Sequence, residues 1–143
     1  MGETERAMLA KLRFMAKDSL SKQLHHNAIM FVELIFGMPG CDMSDIVLSA
    51  QCYFQNGEIR RSLAVLESKG LLSVDNIQLV AEMMTNDEST GNHQHEENHL
   101  LCAIQLASKC LLCLEQYEDC LALLEPILAN SESGTFFLCT PWQ

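Results

Sequence analysis

The sequence predicts an all-α protein, and three observations carry that expectation. Leu, Ala and Met are common while aromatic residues make up only 6% of the chain, a composition that favours helix over sheet. Apolar residues recur at three- and four-residue spacing through most of the chain. Helical segments also come in pairs whose small residues repeat at a fixed offset, the mark of a stacked helical solenoid.

The elements follow in order. Residues 4–22 carry Met8, Leu12, Met15 and Leu20 on one stripe, with charges opposite. Residues 24–37 form a second apolar helix through Leu24, Ala28, Ile29, Val32 and Ile35, stopped near Gly37, Pro39 and Gly40. Residues 42–56 open with the cap candidates Asp42 and Ser44 and continue through Ile46, Leu48, Ala50 and Tyr53. Residues 58–69 hold Leu63 and Leu66 and stop at Gly70. The segment DNIQLVAEMM reads as one short helix. The stretch 85–99, TNDESTGNHQHEENH, has no hydrophobic period and reads as a disordered insertion loop. Residues 98–115 and 117–130 form a further pair, with Tyr117 just after its break. The tail 131–143, SESGTFFLCTPWQ, fits no helical period and reads as irregular, the end of a truncated form.

Composition bounds the function. At 143 residues the chain is one domain's worth. A net charge of −10 argues against a general nucleic-acid binder or a binder of anionic membranes. The charge is uneven: residues 1–22 carry five cations against three acids, and after Gly70 only Lys109 stands against eleven acids. Apolar runs such as 28–38 are too short to span a bilayer. The charged start MGETERAMLAKL is unlike a signal peptide, and Arg6 occupies the Ser/Thr position of a myristoylation motif. The seven cysteines, Cys41, Cys52, Cys102, Cys110, Cys113, Cys120 and Cys139, lie mostly in apolar helical patterns. They read as reduced intracellular thiols acting as small core residues, not as a disulfide framework.

The repeat has a definite length. Ala16 and Ala50 are separated by an offset of 34, and the same offset separates Ala28 from Ser62 and His25 from Ile59. In the third pair Ser108, Tyr117 and Cys120 stand at an offset of 58 from Ala50, Ile59 and Ser62, which is the same period plus an insertion of 24. Small residues are expected where the two antiparallel helices of a pair cross closely. Ala16, Ala28, Ala50, Tyr53, Ser62, Ser108, Tyr117 and Cys120 are therefore the expected helix-packing positions. A helix–turn–helix period of about 34 residues is that of tetratricopeptide repeats. The expected architecture is thus a right-handed superhelical stack of about three antiparallel pairs, 4–37, 42–69 and 98–130. The consensus is degraded: its Trp and its first-helix Gly are missing, and Pro126 falls within the last helix. The competing reading is a helical bundle with coincidental spacing.

Several segments also resemble a known family. RFMAKDSLSKQLHHNAIMFVELIFG and SDIVLSAQCYFQNGEIRRSLAVLESKGLL resemble the start of the tetratricopeptide scaffold subunits of the anaphase-promoting complex, the mitotic ubiquitin ligase. Subunit six is the nearer in pattern and subunit three the second choice. The residues that carry the likeness are Lys17, Asp18, Ser19, Ser21, Lys22 and Ala28, then Asp45, Ile46, Ala50, Gln51 and Tyr53. LLCAIQLASKCLLCLEQYEDCLALLEPIL is similar to the family's third repeat through Ala107, Lys109, Cys110, Tyr117, Cys120 and Leu121. The likeness departs at the acidic, His-rich insertion and stops after three repeats.

The resemblance implies a non-catalytic scaffold without cofactor, in the nucleus and cytoplasm. It would act in cell division by pairing with itself through its N-terminal repeats and by contacting other subunits of the complex. First helices of successive repeats would line a groove for a partner helix, with Lys17, Leu20, Val47, Gln51, Phe54, Gln105, Lys109 and Leu112 as groove-facing positions. The alternative is a free-standing adaptor that binds short peptides of partner proteins. A third option, a metal- or redox-sensing helical protein, rests on His93, His95 and His99 beside Glu96 and Glu97, and on Cys102, Cys110 and Cys113. Against it, nothing fixes the loop histidines, and a helix spreads the cysteines over different faces. No glycine-rich phosphate loop occurs in the sequence.

Overall fold

The computed structural model describes residues 2–85 and 94–130, with no strand among them. Among the described residues seven helices run in order: α1 (Glu3–Ser21), α2 (His25–Phe36), α3 (Met43–Gln55), α4 (Ile59–Ser68), α5 (Val74–Thr85), α6 (Gln94–Cys113) and α7 (Tyr117–Asn130). The chain divides into two compact units, residues 1–65 and 66–143, with the boundary inside α4.

In the first unit α1 packs on α2, α2 on α3, and α1 also touches α3. Leu9, Leu12, Ala16, Ala28, Ile29, Val32, Ile35, Leu48, Cys52 and Tyr53 form its buried core, edged by Leu20, Phe31, Met38, Cys41 and Val65. The start of α3 follows from three residues. The Asp42 carboxylate accepts from the Ser44 and Asp45 N–H groups at 3.0 and 3.3 Å, and the Asp45 carboxylate accepts from the Asp42 N–H at 2.9 Å. Each acid thus satisfies a backbone donor that a helix start leaves orphaned. In the second unit α5 packs on both α6 and α7, and α6 on α7. Ile77, Val80 and Ala81 of α5 are buried, as are Leu100, Ala103, Ile104, Leu106 and Ala107 of α6 and Leu124 and Ile127 of α7.

The insertion departs from expectation. Residues 94–99 belong to helix α6, where a loop was expected, and 86–93 lie outside the described residues. Once the apolar run from Leu100 nucleates a helix, each added residue costs little. The expected tail, 131–143, also lies outside the described residues.

Candidate interaction surface

Among the described residues one turn, with the same four backbone hydrogen bonds, occurs three times. After α1, the N–H groups of Lys22, Gln23 and Leu24 donate to the carbonyls of Asp18, Leu20 and Ser19 at 3.1, 3.1 and 2.8 Å, and the Ala28 N–H donates to Leu24 at 3.0 Å. After α3, Asn56, Gly57 and Glu58 donate to Cys52, Phe54 and Tyr53 at 3.1, 3.0 and 2.9 Å, and Ser62 to Glu58 at 3.0 Å. After α6, Leu114, Glu115 and Gln116 donate to Cys110, Leu112 and Leu111 at 3.0, 3.1 and 2.9 Å, and Cys120 to Gln116 at 3.1 Å. Donors and acceptors advance by an offset of 34 and then by one of 58. The third donor of each set reaches five positions back, a closure that accompanies a left-handed residue at a helix end. The left-handed residues of these three turns are Gln23 (φ 61°), Gly57 (φ 83°) and Glu115 (φ 60°); Gly70 (φ 74°) makes a like closure after α4, with the Leu71 N–H donating to the Leu66 carbonyl at 3.2 Å, but falls outside the series of offsets.

The crossing of each pair follows the same offsets. The Ser62 hydroxyl donates to the Ala50 carbonyl at 2.7 Å, and the Cys120 thiol to the Ser108 carbonyl at 3.7 Å. Both reach back by the same span from the second helix to the first. Ala16 and Ala28 hold the equivalent places in the first pair and are fully buried. A small side chain is required because backbone of the facing helix lies within hydrogen-bond reach. Of the eight expected packing positions, Ala16, Ala28, Ala50, Tyr53, Ser62, Ser108 and Cys120 are buried. Tyr117 is a correction: it is 61% exposed. As the first residue of α7 it sits beside the turn, on a flank of the helix rather than over the crossing.

Polar ties reinforce the first unit. The Arg13 guanidinium forks onto Asp45, with Nε donating to Oδ1 at 2.7 Å and Nη2 to Oδ2 at 2.6 Å. Nη2 also donates to the Gly40 carbonyl at 3.1 Å and lies 3.5 Å from Asp42. The Asp45 side chain is almost wholly buried and the Arg13 side chain mostly so. Hydrogen bonding to Asp45 holds the Arg13 guanidinium above its ordinary pKa, against the opposing pull of burial. Burial pushes the Asp42 carboxyl up, but the Ser44 hydrogen bond, the Arg13 charge and the backbone donors together hold it below its ordinary range. Arg61 donates to Glu33 at 2.7 Å and to Glu58 at 3.3 Å, and its guanidinium carbon lies 4.1 Å from the centre of the Tyr53 ring. Burial raises the Tyr53 hydroxyl pKa, with Arg61 opposing.

The expected groove residues do not share one setting. Lys17 and Leu112 are exposed, and Gln51, Phe54, Gln105 and Lys109 are half-buried. Leu20 lies against the first core. Val47 is a correction: it is only 4% exposed, because α3 is buried almost all round and leaves no open face at that position. Burial pushes the Lys109 ammonium down.

The metal and redox candidates divide. His93 and the side chain of His95 lie outside the described residues, as do the side chains of Glu96 and Glu97, and His99 is half-buried on α6. Among the described residues no three His, Cys, Asp or Glu side chains gather as a metal site. Cys110 is buried, Cys102 half-buried and Cys113 exposed, so the three do not share one setting. Burial drives the Cys52 thiol up to about 12. No helix among the described residues is long and apolar enough to cross a membrane.

Sequence reasoning missed the Arg13–Asp45 fork and the Arg61–Glu33 pair. The signal available was Asp45 itself, an acid placed three residues after Asp42 in an otherwise apolar helix. Parts of the open surface are apolar. Phe14 on α1 is 70% exposed, and Leu121 on α7 is 62% exposed. No family model, curated protein or solved structure matches the chain. The geometry defines a class: an all-helical protein in which one helix hairpin recurs at set offsets.

Proposed function

We propose that the chain is a non-catalytic scaffold of tetratricopeptide type, the N-terminal part of a scaffold subunit of the anaphase-promoting complex. The observation that carries the repeat reading is the recurrence, at offsets of 34 and 58, of one turn and of the small-residue crossing. The period fits the tetratricopeptide length. The assignment to the complex rests on the sequence likeness through Lys17–Lys22, Asp45–Tyr53 and Ala107–Leu121. On this reading the chain works by holding surfaces in place: it pairs with itself through its N-terminal repeats and contacts other subunits of the ligase in the nucleus and cytoplasm.

The test is affinity capture of the tagged chain from mitotic cells, with the recovered proteins identified by mass spectrometry. Other subunits of the complex in near-stoichiometric amounts are the expected result. Unrelated peptide-bearing clients with no ligase subunit overturn it and favour the free adaptor.

A further inference from the structure

We propose that the open flank of α7 is a docking surface for a helix hairpin of another protein, one that lays an apolar helix on Leu121 and an arginine on Glu125. The proposal rests on the recurrence of the hairpin at set offsets and not on membership of any complex.

The first hairpin shows what such a flank is built to receive. On α2, Ile29 is only 9% exposed and shares one core with Leu48, Cys52 and Tyr53 of α3. Leu20, near the end of α1, lies against the same core. One turn beyond Ile29, Glu33 accepts from Arg61 of α4 at 2.7 Å. The hairpin α3–α4 thus brings both an apolar helix and a cation to the flank of α2. At the offset of 34, Leu63 stands in the place of Ile29 and is buried as well.

The offset of 58 carries Leu63 to Leu121, yet Leu121 is 62% exposed. Helix α5, which also packs on α7, leaves it bare. Leu112 on α6 holds the place of Leu20 and is exposed too. Glu125 holds the place of Glu33. It is exposed, and no ion pair among the described residues reaches it. Tyr117, Leu121 and Glu125 follow at four-residue spacing and so run along one flank of the helix. Glu118 stands beside them, and α7 carries no Lys or Arg. Helix α6 adds one cation, Lys109, so acids prevail on this hairpin. An apolar strip edged by unanswered acids is the complement of an apolar helix edged by cations. A second copy does not offer that shape, because its own α3 is buried almost all round. The occupant that fits is a hairpin from elsewhere, with an apolar first helix and an arginine on the second.

The probe is a synthetic peptide of residues 43–69, the α3–α4 hairpin, labelled for fluorescence anisotropy and titrated with the full chain. Leu121→Glu is expected to weaken binding roughly tenfold, the scale of one lost anchor. Glu125→Arg is expected to weaken it several-fold, and a peptide carrying Arg61→Glu is expected to recover that loss on the Glu125→Arg chain alone. Both positions are exposed, and circular dichroism checks that each variant keeps its helix content. Should Leu121→Glu fail to fold, the charge exchange decides by itself. A peptide that does not bind the wild type overturns the proposal, as does binding that neither variant changes. Binding that appears only after residues 131–143 are removed also overturns it, since the chain would then cover its own flank. Self-association in sedimentation velocity is expected to be the same for the wild type and Leu121→Glu. Its loss would assign the flank to a second copy and overturn the proposal. Recovery or loss of ligase subunits in affinity capture leaves these outcomes unaffected, so the two readings fail separately.

Discussion

Hairpins α3–α4 and α6–α7 turn on the same four backbone hydrogen bonds and cross at the same pair of positions, yet they are furnished differently. The left-handed residue is Gly57 in one and Glu115 in the other. A hydroxyl closes the first crossing at 2.7 Å and a thiol the second at 3.7 Å. Tyr53, covered by Arg61, has Leu111 as its counterpart, and the counterpart of Arg61 is Asp119. The hairpin is thus specified by where its helices stop and by small volume at the crossing. The remaining side chains are free for other uses: ion pairs in the first half, an acidic surface in the second.

The largest expected effect tests how much the first half depends on its polar ties. Arg13→Ala leaves the Asp45 carboxylate buried without its fork, and removing one partner of such a pair costs about 3 kcal/mol. Urea denaturation should show that loss, and hydrogen exchange should show α1 opening while α6 and α7 keep their protection. Asp45→Ala in the same chain should restore part of the stability, since the uncompensated charge is then gone. The cluster also sets an acid limit. Asp42 titrates below its ordinary range in the folded chain. Its contribution is therefore complete above the unfolded carboxylate pKa and lost as pH falls through the folded value. Asp42→Asn should flatten the stability profile in that acid window and leave the slope near neutral pH unchanged.

A smaller effect asks whether the two crossings are the same site. Ser62→Ala removes one buried hydrogen bond and should cost about 1 kcal/mol. If the crossings are equivalent, Cys120→Ser should be tolerated, with the hydroxyl drawing closer to the Ser108 carbonyl than the thiol does. A loss of about 2 kcal/mol on Cys120→Ser, the scale of an unsatisfied buried hydroxyl, would mean that the third crossing is built round sulfur and that the likeness is confined to backbone.

Much of this was legible in the sequence for a physical reason. Helices betray themselves through local apolar period, and all seven were expected within a few residues of their observed bounds except the start of α6. The offset of 34 was legible because small residues at a crossing cannot be replaced freely. Tyr117 misled because a turn-flanking aromatic has the same spacing as a packed one. Val47 misled because helical period tells which residues of α3 face its partner and not whether its other sides are covered. The Arg13–Asp45 fork joins residues 32 apart, and no local pattern announces a contact of that range.

The smallest expected effect lies in the left-handed residues, and it separates the turns by chemistry alone. Gly57 at φ 83° has nothing within 4 Å of where a Cβ would stand, so Gly57→Ala meets no clash and incurs only the backbone penalty. That penalty is about 1 kcal/mol. Gln23 and Glu115 already bear it, at φ 61° and 60°. Gln23→Gly and Glu115→Gly relieve the strain but give the unfolded chain more freedom, and the two terms offset to a net gain of about 0.5 kcal/mol. Thermal melts of the three variants should thus move in opposite directions, down for Gly57→Ala and slightly up for the other two. A gain at Gln23 with a loss at Glu115 would show that the Glu115 side chain itself holds its turn, and the three turns would then share a backbone path without sharing its cause.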